Sequence, residues 1–285
     1  MHAAAMWLRK NPLIRGTKHR IERHLRGEDN VAIVSQLPMY APLSFGTFKD
    51  RAPLTLLAVQ QTFPLLAELL QRTGRPVLKT LTIAEWCENR FDPAAMVTLK
   101  RLLDGYGSDK CNFHNYHMLY ARLLRNPAAI KRILEIGLGT NNDDVVSNMG
   151  LDGRPEASLR AFRDFLPNAQ IFGADVDRRI LFTEDRIVTR FVDQTDVTTF
   201  EALGEAIGAD FDLIIDDGLH APNANLATLI FALQRVRVGG WVVVEDIAPA
   251  SSSLWQVVAH LIPDGFRPAL LSADEALVFV VERLA

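Results

Sequence analysis

The chain has little of several features that mark common protein classes. Only two of its 285 residues are cysteine, Cys87 and Cys111, and they lack the Cys-x-x-Cys spacing of a metal or redox motif. This scarcity excludes a disulfide framework, and we expect a reducing, cytoplasmic setting. Lysine and arginine number 31 against 34 aspartates and glutamates, so the net charge of −3 gives no electrostatic case for a nucleic-acid partner.

Long apolar runs are also lacking. No uninterrupted run approaches the roughly 18 residues that cross a bilayer, so we expect no membrane span. The first 13 residues lack the continuous apolar core of a secretory signal. Hydrophobic residues make up 48% of the chain and charged residues 23%, as in ordinary soluble globular proteins.

The first 105 residues show no regular alternation of strands and helices. Residues 1–30 carry seven lysines and arginines, a run typical either of a solvated helix or tail or of an arm that docks on an anionic surface. Helical stretches are predicted over residues 54–72 and 83–103, the second interrupted near Pro93. We therefore assign residues 1–105 to an auxiliary region that covers the main domain or builds the interface of a homo-oligomer.

From residue 106 the pattern changes to short apolar runs separated by amphipathic helices. This alternation indicates βαβ units and a parallel sheet. The last two runs are separated by only five residues, Ser272 to Ala276, which is too short for a crossover helix and predicts an antiparallel hairpin. Residues 106–285 are thus predicted to form an α/β domain with a doubly wound, mostly parallel, seven-stranded Rossmann-like sheet. The predicted strands cover residues 132–137, 170–176, 187–192, 211–215, 241–244, 266–271 and 277–281.

Carboxylates are concentrated after two of these strands. One strand runs into Asp216-Asp217-Gly-Leu-His220 and the next into Glu245-Asp246. Ligands of open α/β sheets bind beyond the carboxyl ends of the strands, so neighbouring strands would bring these groups to one rim. Unpaired charge is costly in a core but useful around a hard cation. The pattern predicts a metal-assisted site, although a lone histidine at such a position is also typical of a loop-bonded residue.

The first strand of the domain ends in Glu135-Ile-Gly137-Leu-Gly139. Glycine there lets the backbone approach a ligand and the acid can orient the loop, although a tight connection needs the same glycines. The following loop is longer than a dinucleotide-binding turn and has Asn141 at the position of the third glycine. A cofactor without phosphates therefore fits better.

Polar residues also end the next two strands. Asp175 ends the second, where an acid commonly accepts hydrogen bonds from ribose hydroxyls, with a turn-forming role as the alternative. Asp193 and Gln194 end the third and suit either an adenine or ribose edge or a helix-capping loop. Together with the glycine loop they favour an adenosine-bearing ligand across the sheet.

Several motifs, taken together, resemble those of one known family. Residues 107–247 resemble the class I S-adenosylmethionine-dependent methyltransferases, in particular the metal-dependent sugar O-methyltransferases of macrolide tailoring, the mycinamicin and macrocin type. The most specific part is Asp216-Asp-Gly-x-His220 followed by Glu245-Asp-Ile247 on successive strands. The other matching segments are Gly107-Ser-Asp-Lys110, His114-x-Tyr116-x-x-x-Tyr120, Leu134-Glu-Ile-Gly137, Ala157-Ser-Leu-Arg160, Phe165-Leu-Pro-Asn-Ala169, Gly173-Ala-Asp175 and Asp193-Gln194.

The resemblance implies a role for each matching residue. It implies that Asp217, Glu245 and Asp246 bind Mg²⁺ and that His220 acts as the catalytic base; Asp216 is not included among the ligands. It also implies that two tyrosines approach the cofactor, whereas their helical spacing alone is typical of core residues. The predicted cofactor-binding residues are Glu135, Gly137, Gly139, Asp175, Asp193, Gln194, Tyr116 and Tyr120.

These roles are chemically consistent. A sugar hydroxyl is a poor nucleophile until it is deprotonated, and a bound divalent ion lowers the pKa of a hydroxyl it contacts. Imidazole accepts such a proton near neutral pH. The prediction is therefore an O-methyltransferase that uses S-adenosyl-L-methionine and Mg²⁺, or another divalent ion, on a sugar or glycosylated metabolite. Two alternatives stay open: a cephalosporin-hydroxylase-like enzyme and a non-catalytic S-adenosylmethionine-binding protein.

Overall fold

The computed structural model describes residues 27–285 except residues 75, 89, 91, 112 and 113. The predicted basic arm of residues 1–30 therefore lies almost wholly outside the described residues. The chain divides into two compact units, one ending at Arg75 and the other comprising Pro76–Ala285. Residues 76–105 belong to the second unit, so the two compact units divide 30 residues before the boundary that the sequence predicts after residue 105. That the region before residue 106 has a separate, auxiliary function stays a prediction.

The described part of the first unit is a pair of packed helices, α1 (Glu28–Gln36) and α2 (Phe48–Arg72). Thr47 begins α2 by accepting a hydrogen bond from the Asp50 amide at its N-cap. Although polar residues interrupt its apolar run, this 25-residue helix has a mean hydropathy of 1.2 over an 18-residue window and meets the length and composition of a membrane-crossing helix. That finding departs from the expected lack of any such segment. One such helix is weak evidence, because core helices pass the same test.

The second unit contains every strand that the structure describes. Its sheet has the order β1-β8-β9-β7-β6-β2-β3-β5-β4. The doubly wound, mostly parallel α/β class is thus confirmed, while the strand count is nine rather than seven because β1 and β4 are two-residue edge strands without a sequence pattern of their own. The strands are β1 (Leu81–Thr82), β2 (Arg132–Ile136), β3 (Gln170–Asp175), β4 (Thr183–Glu184), β5 (Ile187–Phe191), β6 (Phe211–Asp216), β7 (Val236–Ile247), β8 (Phe266–Ala273) and β9 (Ala276–Arg283).

Helices separate most of these strands. Capping interactions define the N-termini of three of them: a capping box between Thr82 and Glu85, and aspartate N-caps at Asp92 and Asp196. The helices of the second unit are α3 (Ile83–Cys87), α4 (Pro93–Tyr106), α5 (Tyr116–Leu123), α6 (Ala157–Phe165), α7 (Val197–Ile207), α8 (Pro222–Leu233) and α9 (Ser252–Leu261).

The core lies against the central strands. Leu213 and Ile215 of β6 belong to a cluster that α4, α5 and α6 also supply, and Ile214 between them is equally buried. Because side chains alternate across a strand, burial at successive positions means that both faces of the sheet are covered. Because helices cover both faces of the sheet, the sequence of β6 is a continuous apolar run rather than an alternating one.

Strand β7 begins five residues earlier than the sequence pattern predicts. Its register against β6 shifts between Phe211 and Leu213, which pair with Val236 and Trp241. A Cβ at Gly240 would lie 2.8 Å from the Phe211 carbonyl oxygen, so glycine allows the irregular strand to approach β6. Helix α8 accordingly ends at Leu233, three residues before β7 begins.

Candidate active site

Three adjacent strands deliver their carboxyl ends to one rim. In the parallel register Ile136 of β2 lies beside Asp216 of β6, which in turn lies beside Val244 of β7. The residues that follow these positions, Gly137, Asp217 and Glu245, are therefore neighbours. The prediction that the two acid clusters meet at one edge of the sheet follows directly from this register.

Gly137 is the closest backbone approach at this rim. Its φ is +92°, and a Cβ there would lie 2.0 Å from the Asp217 carbonyl oxygen. Only glycine fits both conditions, since L side chains disfavour this φ. The Asp217 amide donates to the Ile136 carbonyl over 2.7 Å, which holds the two strand ends together. Gly137 therefore sets the position of the Asp217 backbone.

The Asp175 carboxylate accepts hydrogen bonds from neighbouring backbone amides. Its carboxylate accepts hydrogen bonds from the Leu138 amide at 2.7 Å and from the Asp177 amide at 2.8 Å. Burial raises the pKa of Asp175, and these amide donors oppose the rise. The predicted ribose-binding acid thus fastens the glycine loop to β3 while it also lines the adjoining cavity.

The long loop after Gly139 is fixed by a second acid. Asp177 accepts hydrogen bonds from Thr140 Oγ1 at 2.8 Å, from Asn142 Nδ2 at 2.7 Å and from the Arg179 guanidinium. Arg179 also pairs with Asp144 at 2.8 Å. Hydrogen bonding to Arg179 holds the pKa of Asp177 well below its usual range. The loop is thereby ordered as one wall of the cavity.

A potential metal-binding cluster lies at the ends of β6 and β7. Asp217, His220 and Asp246 each present a ligand atom within 4.8 Å of the other two. His220 Nε2 lies 3.8 Å from Asp217 Oδ1 and 4.0 Å from Asp246 Oδ2. Both His220 and Asp246 have positive φ, +54° and +52°, an uncommon conformation that concentrates at functional sites.

Glu245 is not part of this cluster. It is fully buried, accepts a hydrogen bond from the Tyr120 hydroxyl at 2.5 Å and forms a close ion pair with Lys110. Burial raises the pKa of Glu245, and Lys110 opposes that rise. The structure thus brings together two of the three predicted metal ligands and directs the third into the protein; its coordination of an ion stays a prediction.

Lys110 was not singled out from the sequence as a site residue, although it closes a matching motif. Its side chain is 3% exposed and lies 2.6 Å from Asp217 Oδ2 and 3.2 Å from Glu135 Oε1, in addition to its contact with Glu245. Burial alone would lower the pKa of Lys110, but the surrounding carboxylates raise it well above its ordinary value. No local pattern predicts this contact, because the partners lie 107 and 135 residues away.

The predicted cofactor residues Glu135, Tyr116 and Tyr120 lie beneath the rim. Glu135 accepts a hydrogen bond from Ser158 Oγ at 2.6 Å, and the Tyr116 hydroxyl donates to Asp246 Oδ1 at 2.5 Å. None of the three is among the residues that line the cavity. The two tyrosines thus donate to carboxylates at the ends of the strands, and Glu135 pairs with Ser158 and Lys110. Contact of these three residues with a cofactor stays a prediction.

Asp193 and Gln194 both line the cavity. Gln194 Nε2 donates to Asp216 Oδ1 and its Oε1 accepts from the Leu219 amide, which ties β5 to the loop that carries His220. Asp216 is fully buried, and burial raises its pKa to about 6. Its carboxylate accepts hydrogen bonds from Gln194 and Asn225 inside the protein. Its omission from the predicted ligands agrees with this position.

A cavity of about 880 Å³ joins these features. Its volume is within the usual range of small-molecule sites. Its wall is formed by the Gly107–Lys110 segment, the glycine loop, the ends of β3 and β5, and the metal-binding cluster. The predicted residues that line it are Gly137, Gly139, Asp175, Asp193, Gln194, Asp217, His220 and Asp246.

Comparisons with known proteins find relatives that are named as O-methyltransferases. No family model matches the chain. A tetracenomycin rhamnosyl 2'-O-methyltransferase of Streptomyces olivaceus is 29% identical over 169 residues, 58% of this chain and 41% of the relative. The mycinamicin VI 2''-O-methyltransferase of Micromonospora griseorubida is 37% identical over 120 residues, 41% of this chain and 27% of the relative. The chain thus spans less than half the length of these curated relatives.

Solved structures agree with the sequence relatives. The MycE methyltransferase of the mycinamycin biosynthetic pathway, crystallised with Mg and SAH, superposes with a TM-score of 0.53 and 26% identity. The match covers 66% of this chain and 55% of that chain. A second MycE crystal, which also contains mycinamycin VI, gives a TM-score of 0.53 and 25% identity. The resemblance carried by the sequence motifs is therefore confirmed: the homologues of this chain are sugar O-methyltransferases of the class I S-adenosylmethionine-dependent type.

Proposed function

We propose that the chain is an O-methyltransferase that moves a methyl group from S-adenosyl-L-methionine to a hydroxyl of a sugar or glycosylated small molecule. The observation that carries the proposal is one cavity lined both by the strand ends that suit an adenosine-bearing cofactor and by the cluster of Asp217, His220 and Asp246. The relatives' names supply the acceptor class.

The cofactor end of the cavity is the glycine loop with Asp175, Asp193 and Gln194. Gly137 and Gly139 line the cavity at positive φ, and each oxygen of Asp175, which already accepts one backbone amide, has a further lone pair for a ribose hydroxyl. Acidic residues also favour a cationic sulfonium over a phosphate. This preference agrees with a loop that is longer than a phosphate-binding turn.

The metal end fits a hard divalent ion. Asp217 and Asp246 offer carboxylate oxygens, the ligands that Mg²⁺ prefers, and their side chains are 23% and 29% exposed toward the cavity. A divalent ion bound there would lower the pKa of an acceptor hydroxyl. Tyr116 donates to Asp246 and orients it, while Lys110 holds one oxygen of Asp217.

His220 is placed to accept the hydroxyl proton. Its Nε2 faces Asp217 and Asp246, and its side chain is 35% exposed at the cavity wall, where an acceptor can reach it. The rest of the catalytic effect comes from aligning the acceptor oxygen with the methyl group.

Calorimetric titration of S-adenosylmethionine, with and without Mg²⁺, tests the cofactor half of the proposal. Transfer of a labelled methyl group to a panel of glycosylated metabolites and nucleotide sugars tests the reaction. We expect binding, and transfer that requires a divalent ion and is lost in Asp217→Asn. Binding without transfer to any acceptor would favour a non-catalytic binding protein, and no binding in either condition would exclude the methyltransferase.

A further inference from the structure

The ammonium group of Lys110 lies where three adjacent strands end. Glu135 comes from β2, Asp217 follows β6 and Glu245 comes from β7, and each has an oxygen within 3.2 Å of Nζ. An ammonium group has three N–H donors, and here three carboxylates surround it. The Lys110 side chain is almost completely buried, with an exposed fraction of 3%.

The two carboxylate oxygens of Asp217 have different neighbours. Its Oδ2 lies 2.6 Å from Lys110 Nζ, while its Oδ1 faces His220 on the side of the metal-binding cluster. A carboxylate that uses one oxygen for each of two cations is the bridging arrangement of two-metal sites, where the ions are about 4 Å apart. Glu245 is drawn to the Lys110 side, which leaves Asp217, His220 and Asp246 as the cluster around the other position.

We propose that Lys110 is a positioning residue whose ammonium group acts as a built-in second cation, so that the rim binds one divalent ion where its carboxylates would otherwise hold two. The inference rests on the proposed function, because it assumes an ion at the cluster. A tethered cation neutralises part of the carboxylate charge permanently and fixes the bridging oxygen of Asp217.

Mn²⁺ titration followed by calorimetry and electron paramagnetic resonance tests this inference in the full chain. The wild type is expected to bind one ion per chain with the spectrum of an isolated Mn²⁺. Lys110→Ala opens the space between the three carboxylates and is expected to bind two ions with a spin-coupled spectrum. Lys110→Arg keeps a cation there and should bind one. Lys100→Ala, which removes an exposed lysine paired with Asp104, is the matched control and should also bind one.

The number of ions on the wild type tests the proposed metal site, and the difference in number between the wild type and Lys110→Ala tests the role of Lys110. Absence of any ion on the wild type would remove the metal from the proposed function, and the inference, which assumes that ion, would fall with it. An unchanged number of ions on Lys110→Ala would overturn the inference. If the variant folds poorly without metal, Mn²⁺ should raise its unfolding temperature more than that of the wild type; an equal or smaller rise would also overturn the inference.

Discussion

Replacing Gly137 with alanine tests the packing that positions the rim. The added Cβ would lie 2.0 Å from the Asp217 carbonyl oxygen, whereas real Cβ contacts do not fall below 3.0 Å, so one backbone must move by about 1 Å. The φ of +92° adds a conformational cost of about 1–2 kcal/mol for a residue with a Cβ. We expect the free energy of unfolding to fall by about 2 kcal/mol, or roughly 4–8 °C in melting temperature.

The functional loss should exceed the loss of stability. A displacement of about 1 Å at a positioned catalytic group can lower the rate about 100-fold. Methyl transfer and Mn²⁺ affinity should therefore both fall while the variant remains folded at 25 °C. Gly105→Ala is the control, since Gly105 lies in α4 with no atom within 4 Å of the position that a Cβ would occupy, and should gain up to about 1 kcal/mol. A Gly137→Ala protein with wild-type stability and ion affinity would refute the reasoning.

Three further predictions concern individual side chains. Because Asp246 lies in the metal-binding cluster, Asp246→Asn should lower the Mn²⁺ affinity at least about tenfold, and an unchanged affinity in calorimetry would contradict the arrangement. His220→Gln should keep S-adenosylmethionine binding in calorimetry but lose about 10²–10⁴ in the methyl-transfer rate; an unchanged rate would exclude it as the base. Burial raises the thiol pKa of Cys87 and Cys111 to about 11, so at pH 8 iodoacetamide should label the native chain far more slowly than the chain in urea, and prompt labelling of both would contradict their burial.

The sequence predicted the sheet and the rim well because both depend on local patterns. Continuous apolar runs marked the buried strands, and the acids that follow them had to lie at the carboxyl edge once the strands were parallel. Asp217, His220 and Asp246 were found this way. The strand ends at Gly137 and Asp175 were placed at the same cavity for the same reason.

Apolar runs predict where a strand ends, but they do not predict the direction in which each side chain after the strand points. Glu245 and Asp246 are adjacent in the sequence, yet one points into the protein and the other into the cavity, because alternation along β7 separates neighbours and the positive φ of Asp246 turns the chain further. Lys110 was missed because its partners come from three distant strands. Irregular strands such as β7 leave no periodic signal at their start.

The division of the chain after Arg75 also bears on how its sequence changes during evolution. Every residue that lines the described cavity lies between Gly107 and Asp246, within the second unit. Helix α2 of the first unit, although apolar and largely exposed, supplies none of them. Selection that acts through the lining of this cavity therefore acts on residues of the second unit.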